Sequence, residues 1–265
     1  MTFVEHLSEL RVNLVRCLVA LLIGMFACYG YAPKLFAILQ QPLKAVLPQQ
    51  STFIFTSLTE AFFVYMKVSL MASLFLTSPY LFYQLWHFIA PGLYPEERRF
   101  IIPVAICSAL FFVSGALFGY YLVFPFAFSF FMGFATDIIK PMPSLDLYLN
   151  FCLKMLFAFG FVFELPIFIL FLVRFDLVTV DQLKQARRYF IVVAFIVAAV
   201  LTPGPDVISQ MLMAFPMIFL YEVSIVVTKL FCKKQLARTT DEESTKQDIA
   251  QTTHTQTVGS TKKPN

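Results

Sequence analysis

Residues 149–172 read LNFCLKMLFAFGFVFELPIFILFL, with Lys154 and Glu164 the only charges. At ~1.5 Å per residue this run makes about 36 Å of helix, enough to cross a ~30 Å hydrocarbon core. Lys154 lies nearer one end and reaches the interface along its own stem. Glu164 has no such exit. A carboxylate near a helix centre costs on the order of 3 kcal/mol on insertion scales, so it faces a protein interior or water rather than lipid. Three readings stay open for it: a proton relay, a polar handle for a chain in transit, or a carboxyl hydrogen-bonded across helices.

The rest of the chain keeps the same solvent. Of its 265 residues 59% are hydrophobic and 14% charged, with 33 phenylalanines and a mean hydropathy of +0.76. An ordinary soluble domain carries about 25% charge. Apolar runs recur at roughly 12–31, 62–86, 100–124, 149–172, 188–201 and 207–225. The fifth would span only about 20 Å, so it needs a thinned bilayer or longer neighbours to shield its ends. Pro79, Pro103, Pro125, Pro166 and Pro216 lie at or inside these runs. Neighbouring helices must then satisfy the freed carbonyls, which predicts kinked, mutually packed helices. The fold expected is an all-α membrane protein of six transmembrane helices, the last two short, in a kinked concave bundle.

Basic residues give the orientation. Arg11, Arg16, Arg98, Arg99, Arg174, Lys184, Arg187, Arg188, Lys229, Lys233, Lys234 and Arg238 fall on one side, against Lys34, Lys44 and Lys140 on the other. The positive-inside rule places both termini in the cytoplasm. The opening MTFVEHLSELR is acidic, unlike the basic start of a cleaved signal peptide, so the first run is expected to remain as an anchor. Three stretches follow: a cytoplasmic amphipathic segment (1–11), the six-helix transmembrane domain (12–228), and a Thr/Gln/Lys/Glu-rich cytoplasmic tail (229–265) expected to be disordered.

Motifs for catalysis are missing. The histidines are His6, His87 and His254, and no HExxH, GxSxG or Walker-type loop is present. The five cysteines (Cys17, Cys28, Cys107, Cys152, Cys232) have no metal-binding or redox spacing. The sequence reads as a non-enzyme without cofactor, metal site or nucleic-acid partner.

The remaining carboxylates sit among arginines. In VEHLSELRVNLVR, Leu7, Leu10 and Leu14 share one helical stripe while His6 and Glu9 project elsewhere. Glu96 and Glu97 lie in the loop WHFIAPGLYPEERRF. Two acidic sites on one side suit a cationic ligand, because carboxylate–guanidinium pairing supplies geometry as well as charge. The competing readings are local pairing of Glu96 with Arg98 or Arg99 and a plain solvated face for the N-terminal helix. In LTPGPDVISQ, Asp206 suits a helix cap. Thr202 and Gln210 suit hydrogen bonding to another membrane helix, whether the chain's own or a partner's.

Taken in order, EHLSELR, QPL, LWHFIAPGLYPEERR, FELP, RRY and TPGPD resemble the TatC family of twin-arginine protein translocases over about the first 225 residues. The resemblance implies a receptor for signal peptides with consecutive arginines, exporting folded cargo with the proton motive force. It carries the twin-arginine contact to Glu9 and Glu97, with Phe88 and Arg11 beside them, although Glu96 is adjacent. Glu164 would face an intramembrane groove, and Pro42 would belong to an assembly loop. Thr202 and Gln210 would lie on the surface that docks the single-span partners TatA and TatB, and other copies of the chain are also implied. The location implied is the bacterial inner membrane. The competing classes are a proton-coupled secondary transporter using Glu164 and a purely structural scaffold.

Overall fold

The computed structural model describes residues 3–47, 53–54, 57–89, 101–134, 142–175, 177–201, 207 and 210–230. Helix α1 (Phe3–Tyr29) is followed by two short helices, α2 (Ala32–Leu39) and α3 (Gln41–Lys44), and by the long α4 (Glu60–Ile89). Then come α5 (Ile101–Phe118), a π-helical turn (Gly119–Val123), α6 (Phe124–Met132), α7 (Leu145–Phe163), α8 (Leu165–Arg174), α9 (Val180–Leu201) and α10 (Gln210–Leu230). Among the described residues there is no strand, only an isolated bridge between Ile54 and Ser144.

Five of these helical runs are long and apolar enough to cross a membrane: Glu5–Tyr29, Glu60–Ile89, Ile101–Met132, Leu145–Arg174 and Gln210–Leu230. Two differences from the sequence expectation stand out. Helix α10 is not short; it continues through Val226 to Leu230, giving 21 residues. Helix α9 has 22 residues, but its first turns carry Asp181, Lys184, Arg187 and Arg188, so only the part from Tyr189 onward is apolar. The amphipathic segment at 1–11 leads into the first span as one helix from Phe3 onward. Pro33 and Pro42 sit in the first turns of α2 and α3, where a missing N–H costs nothing.

Proline places the breaks but does not separate the spans. Pro125 opens α6 directly after the π turn, and Pro166 opens α8 directly after α7. Glu164 is the hinge residue of the second break, its N–H donating to the Phe161 carbonyl (3.0 Å) while its own carbonyl accepts from the Phe168 N–H (2.9 Å). Helix therefore continues on both sides of it.

The core is aromatic and lies where α7 meets α5, α6 and α4. Phe112, Phe124, Phe159, Leu149 and Met155 are fully or almost fully buried. Without a hydrophobic drive between helices in lipid, such contacts depend on close backbone approach. Gly24 permits it between α1 and α4: a Cβ there would meet Ser73 Oγ at 2.4 Å, and that hydroxyl donates to the Leu21 carbonyl (2.7 Å). Tyrosine hydroxyls also tie the short helices to the core. Tyr148 donates to the Leu39 carbonyl (2.7 Å) and Tyr120 to the Ile38 carbonyl (2.8 Å), which fastens the α2–α3 corner. Tyr148→Phe is expected to leave the Leu39 carbonyl without this donor and to cost about 1–3 kcal/mol. Thermal unfolding of the purified variant in detergent checks it.

The polar lining at the end where α4 and α7 begin was not foreseen. Lys67 pairs with Asp146 (2.7 Å) and donates to Asn150 Oδ1 (3.0 Å). Asn150 in turn donates to the second Asp146 oxygen (2.7 Å). Helix α7 receives no cap from Ser144. Glu60 of α4 supplies it from across the interface, its Oε1 accepting from the Asp146 N–H at 2.8 Å.

Candidate functional site

The N-terminal part of α1 and the C-terminal part of α4 meet at one end of the bundle. Their antiparallel packing brings His6 onto Phe88, ring centroids 4.3 Å apart and planes 15° apart. Leu7, Leu10 and Leu14 are 48, 43 and 67% exposed, so the apolar stripe points away from the protein. His6 and Glu9, three residues apart and thus on one face, are both half-buried against it. In water this arrangement would be inverted; in lipid it is the expected one, since apolar side chains there need no shelter. Arg11 is exposed. Glu96 and Glu97 lie outside the described residues, as does Thr202. The structure thus joins Phe88 to the turn that carries Glu9, through a histidine whose role the sequence left open.

The second feature is Glu164. At the α7–α8 break its carboxyl faces the Ser108 hydroxyl and the backbone of Phe112, both on α5. Its Oε1 is buried without a hydrogen-bond partner. Ser108 is itself fully buried and accepts a hydrogen bond from Trp86 Nε1 of α4 at 3.1 Å. Ser108 and Trp86 were not foreseen as part of this site. The one available signal was that Trp86 is the only tryptophan in the chain, two residues before Phe88.

The third feature joins α9 to α10. Gln210 Nε2 donates to the Phe195 carbonyl of α9 at 2.8 Å, so this side chain bonds within the chain. Tyr221 of α10 donates to the Leu183 carbonyl (2.8 Å) and its ring stacks on Phe190 at 4.1 Å. Arg187 pairs with Glu222 at 2.8 Å across the same interface. Outward, α9 presents Tyr189, Val192, Val193, Ile196 and Val200, all exposed. Pro42 is buried at the start of α3. Among the described residues no group of three or more His, Cys, Asp or Glu is arranged to hold a metal ion.

Apolar helices of membrane-crossing length, lipid-facing aliphatic stripes and a carboxylate buried at mid-span define a polytopic helical membrane protein. Residues 5–216 match the family described as Sec-independent protein translocase protein (TatC), and the chain belongs to that family. A Sec-independent protein translocase protein TatC of Desulforapulum autotrophicum is 47% identical over 98% of this chain and 93% of its own length. The protein of the same name from Escherichia coli K12 is 37% identical over 87% of this chain and 89% of its own. A crystal structure described as the twin arginine translocase receptor TatC superposes with a TM-score of 0.77 at 41% identity. It matches over 85% of this chain and 98% of that one. The chain is thus a membrane-embedded component of a protein translocase. These relatives give the solute-transporter reading of Glu164 no support.

Proposed function

We propose that this chain is the signal-peptide receptor and core of a twin-arginine translocase, binding twin-arginine signal peptides and exporting folded proteins with the proton motive force. The observation that carries the reading is the His6–Phe88 stack, which holds the turn bearing Glu9 against the end of α4. Glu97 follows the end of α4 at Ile89 in the sequence. Glu9 and Glu97 bind the two guanidinium groups, Phe88 packs beside them, and Arg11 flanks the site. Bidentate pairing in a partly desolvated setting supplies the selectivity that exposed ion pairs, worth about 0–1 kcal/mol, do not.

In this reading all six helices span the bacterial inner membrane, with α9 as the short span and both termini in the cytoplasm. Glu164, at the α7–α8 break, lines a concave intramembrane groove. The exposed aliphatic face of α9, with Thr202 and Gln210 at the hairpin, docks TatA and TatB. Pro42 sets the α2–α3 corner used in assembly with other copies.

The test is binding of a twin-arginine signal peptide to the protein in nanodiscs, at two salt concentrations, for wild type, Glu9→Gln and Glu97→Gln. Removing one partner of a desolvated charge pair costs ~2–5 kcal/mol. Each variant should therefore weaken Kd by about 30-fold or more. A Lys-Lys peptide should bind more weakly than Arg-Arg, because an ammonium lacks the planar fork. Equal affinity for the two peptides, or unchanged binding in both variants, sinks the receptor reading.

A further inference from the structure

One lysine of the bundle stands apart. Lys154 lies on α7, about 14 Å along the helix from Leu145, and is exposed. Among the described residues it has no hydrogen-bond or ion-pair partner. The acceptors one and two turns further out on the same face are taken. Lys67 donates to Asp146 Oδ1 (2.7 Å) and Asn150 Oδ1 (3.0 Å), and Asn150 donates to Asp146 Oδ2 (2.7 Å). On its other side Phe157, Phe161 and Phe168 follow at helical steps, 44, 51 and 55% exposed, on the stripe that also carries the half-buried Glu164. A second copy does not supply the missing charge. Copies in one membrane share an orientation, so a two-fold contact through this face sets lysine against lysine.

Two contacts fix how far this lysine lies from the Glu9 end of the bundle. Lys67 bonds to Asn150 near the start of α4, and the Trp86 ring packs on Phe171 of α8 (4.8 Å) near its end, beside Phe88. From Phe171 back to Lys154 is about 26 Å of helix. A signal peptide has a basic start followed by an apolar stretch of about 7–15 residues. As a helix that stretch is about 10–22 Å long, short of a ~30 Å hydrocarbon core. With its arginines held at the Glu9 end, its last turn stops inside the membrane, close to the level of Lys154. The last four carbonyls of a helix have no partner within it and form its negative pole. Left unsatisfied in hydrocarbon they are costly, and a lysine ammonium with three donors is their complement.

We propose that Lys154 caps the inserted apolar helix of the signal peptide, its ammonium donating to the carbonyls of the last turn. The inference rests on the receptor reading of Glu9 and Glu97, and the experiment separates the two.

The full chain in nanodiscs is titrated with two twin-arginine signal peptides, one with an apolar stretch of about 14 residues and one lengthened to about 22. The proteins are wild type, Lys154→Met, Lys154→Arg, Lys34→Met, Glu9→Gln and Glu97→Gln. Lys154→Met should weaken Kd for the shorter peptide about tenfold. Arg should restore it. Lys34→Met, which removes another exposed cation from the end opposite Glu9, should bind normally. The longer peptide carries its last turn out to the far interface, so wild type and Lys154→Met should bind it equally. Carbon-13 at the carbonyls of the shorter peptide's last apolar turn gives a direct readout: their infrared band should lie lower on wild type than on Lys154→Met.

Unchanged binding by both Glu9→Gln and Glu97→Gln would remove the receptor reading and the inference with it. Weakened binding by those two beside unchanged binding by Lys154→Met, or a carbonyl band that stays in place, would leave Lys154 an interface anchor and overturn the cap alone. Equal losses for the two peptides would mark a packing defect and overturn it as well. If Lys154→Met does not fold, Lys154→Ala takes its place: a carbonyl band that does not move in that variant overturns the proposal.

Discussion

Gly115→Leu is expected to abolish recovery of folded protein. A Cβ at Gly115 of α5 would meet the Phe159 carbonyl oxygen at 2.4 Å and the Phe163 Cβ at 2.8 Å, both on α7. The first of these is backbone, so no side-chain rotation relieves it and α5 and α7 must separate. Phe159, 1% exposed, fills the space just beside that crossing, and its ring neighbours Phe118 at 5.7 Å. Overpacking in a close-packed interior costs about 1–3 kcal/mol for modest insertions and more when backbone must move. In lipid, helix association relies on tight van der Waals contact, so parting these two helices removes what holds them together. Even Gly115→Ala should lower the unfolding temperature in detergent, and Leu should leave aggregated or degraded protein. Wild-type thermal stability in both variants would show that the α5–α7 crossing is looser than the geometry requires.

Glu60→Ala is expected to carry the second largest effect, about 3 kcal/mol of stability. The side chain is 7% exposed and accepts from two backbone amides, Asp146 at 2.8 Å and Ser57 at 3.3 Å. Bonds to a charged acceptor contribute ~1.5–3 kcal/mol each, the longer one less. Glu60 also places its negative charge at the N-terminus of α7, where the helix dipole favours it. Removing it leaves α7 with no cap from Ser144 and frees the adjoining Lys67–Asp146 pair to open. That pair is more than a third exposed, so its own contribution is screened and small. Unfolding in detergent measures the loss. A Glu60→Ala variant as stable as wild type would mean that the cap is redundant with the Ile54–Ser144 bridge.

Much of the fold was legible because membrane physics leaves a strong trace in one dimension. A lone carboxylate in 149–172 announces itself, since lipid tolerates so few, and Glu164 was found for that reason. The same logic found the spans, through length and apolarity, and the breaks, through Pro125 and Pro166. The partners of these residues were not legible. Ser108 is one of several serines in apolar runs, and nothing along the chain separates it from Ser114. Only the meeting of α4, α5 and α7 sets it between Trp86 and Glu164. Lys67 and Asp146 are 79 residues apart, so their pairing has no local signature. Helices α2 and α3 were missed because Pro33 and Pro42 read equally as turn residues and as first-turn helix residues.

By itself, the sequence determined the solvent, the rough limits of the long apolar helices, and the position of the intramembrane carboxylate. All of these follow from local composition, because the bilayer imposes its constraint residue by residue. Tertiary structure alone decided which side of each helix is dry and which polar group answers which. It put Glu60 on the amide of Asp146, His6 on Phe88, and Trp86 on Ser108. Those choices depend on helix rotation and crossing depth, which are set by close contacts such as Gly24 against Ser73 and Gly115 against Phe159. A one-dimensional pattern does not encode them, because the same apolar stretch packs in many rotations until steric contact with a neighbour selects one.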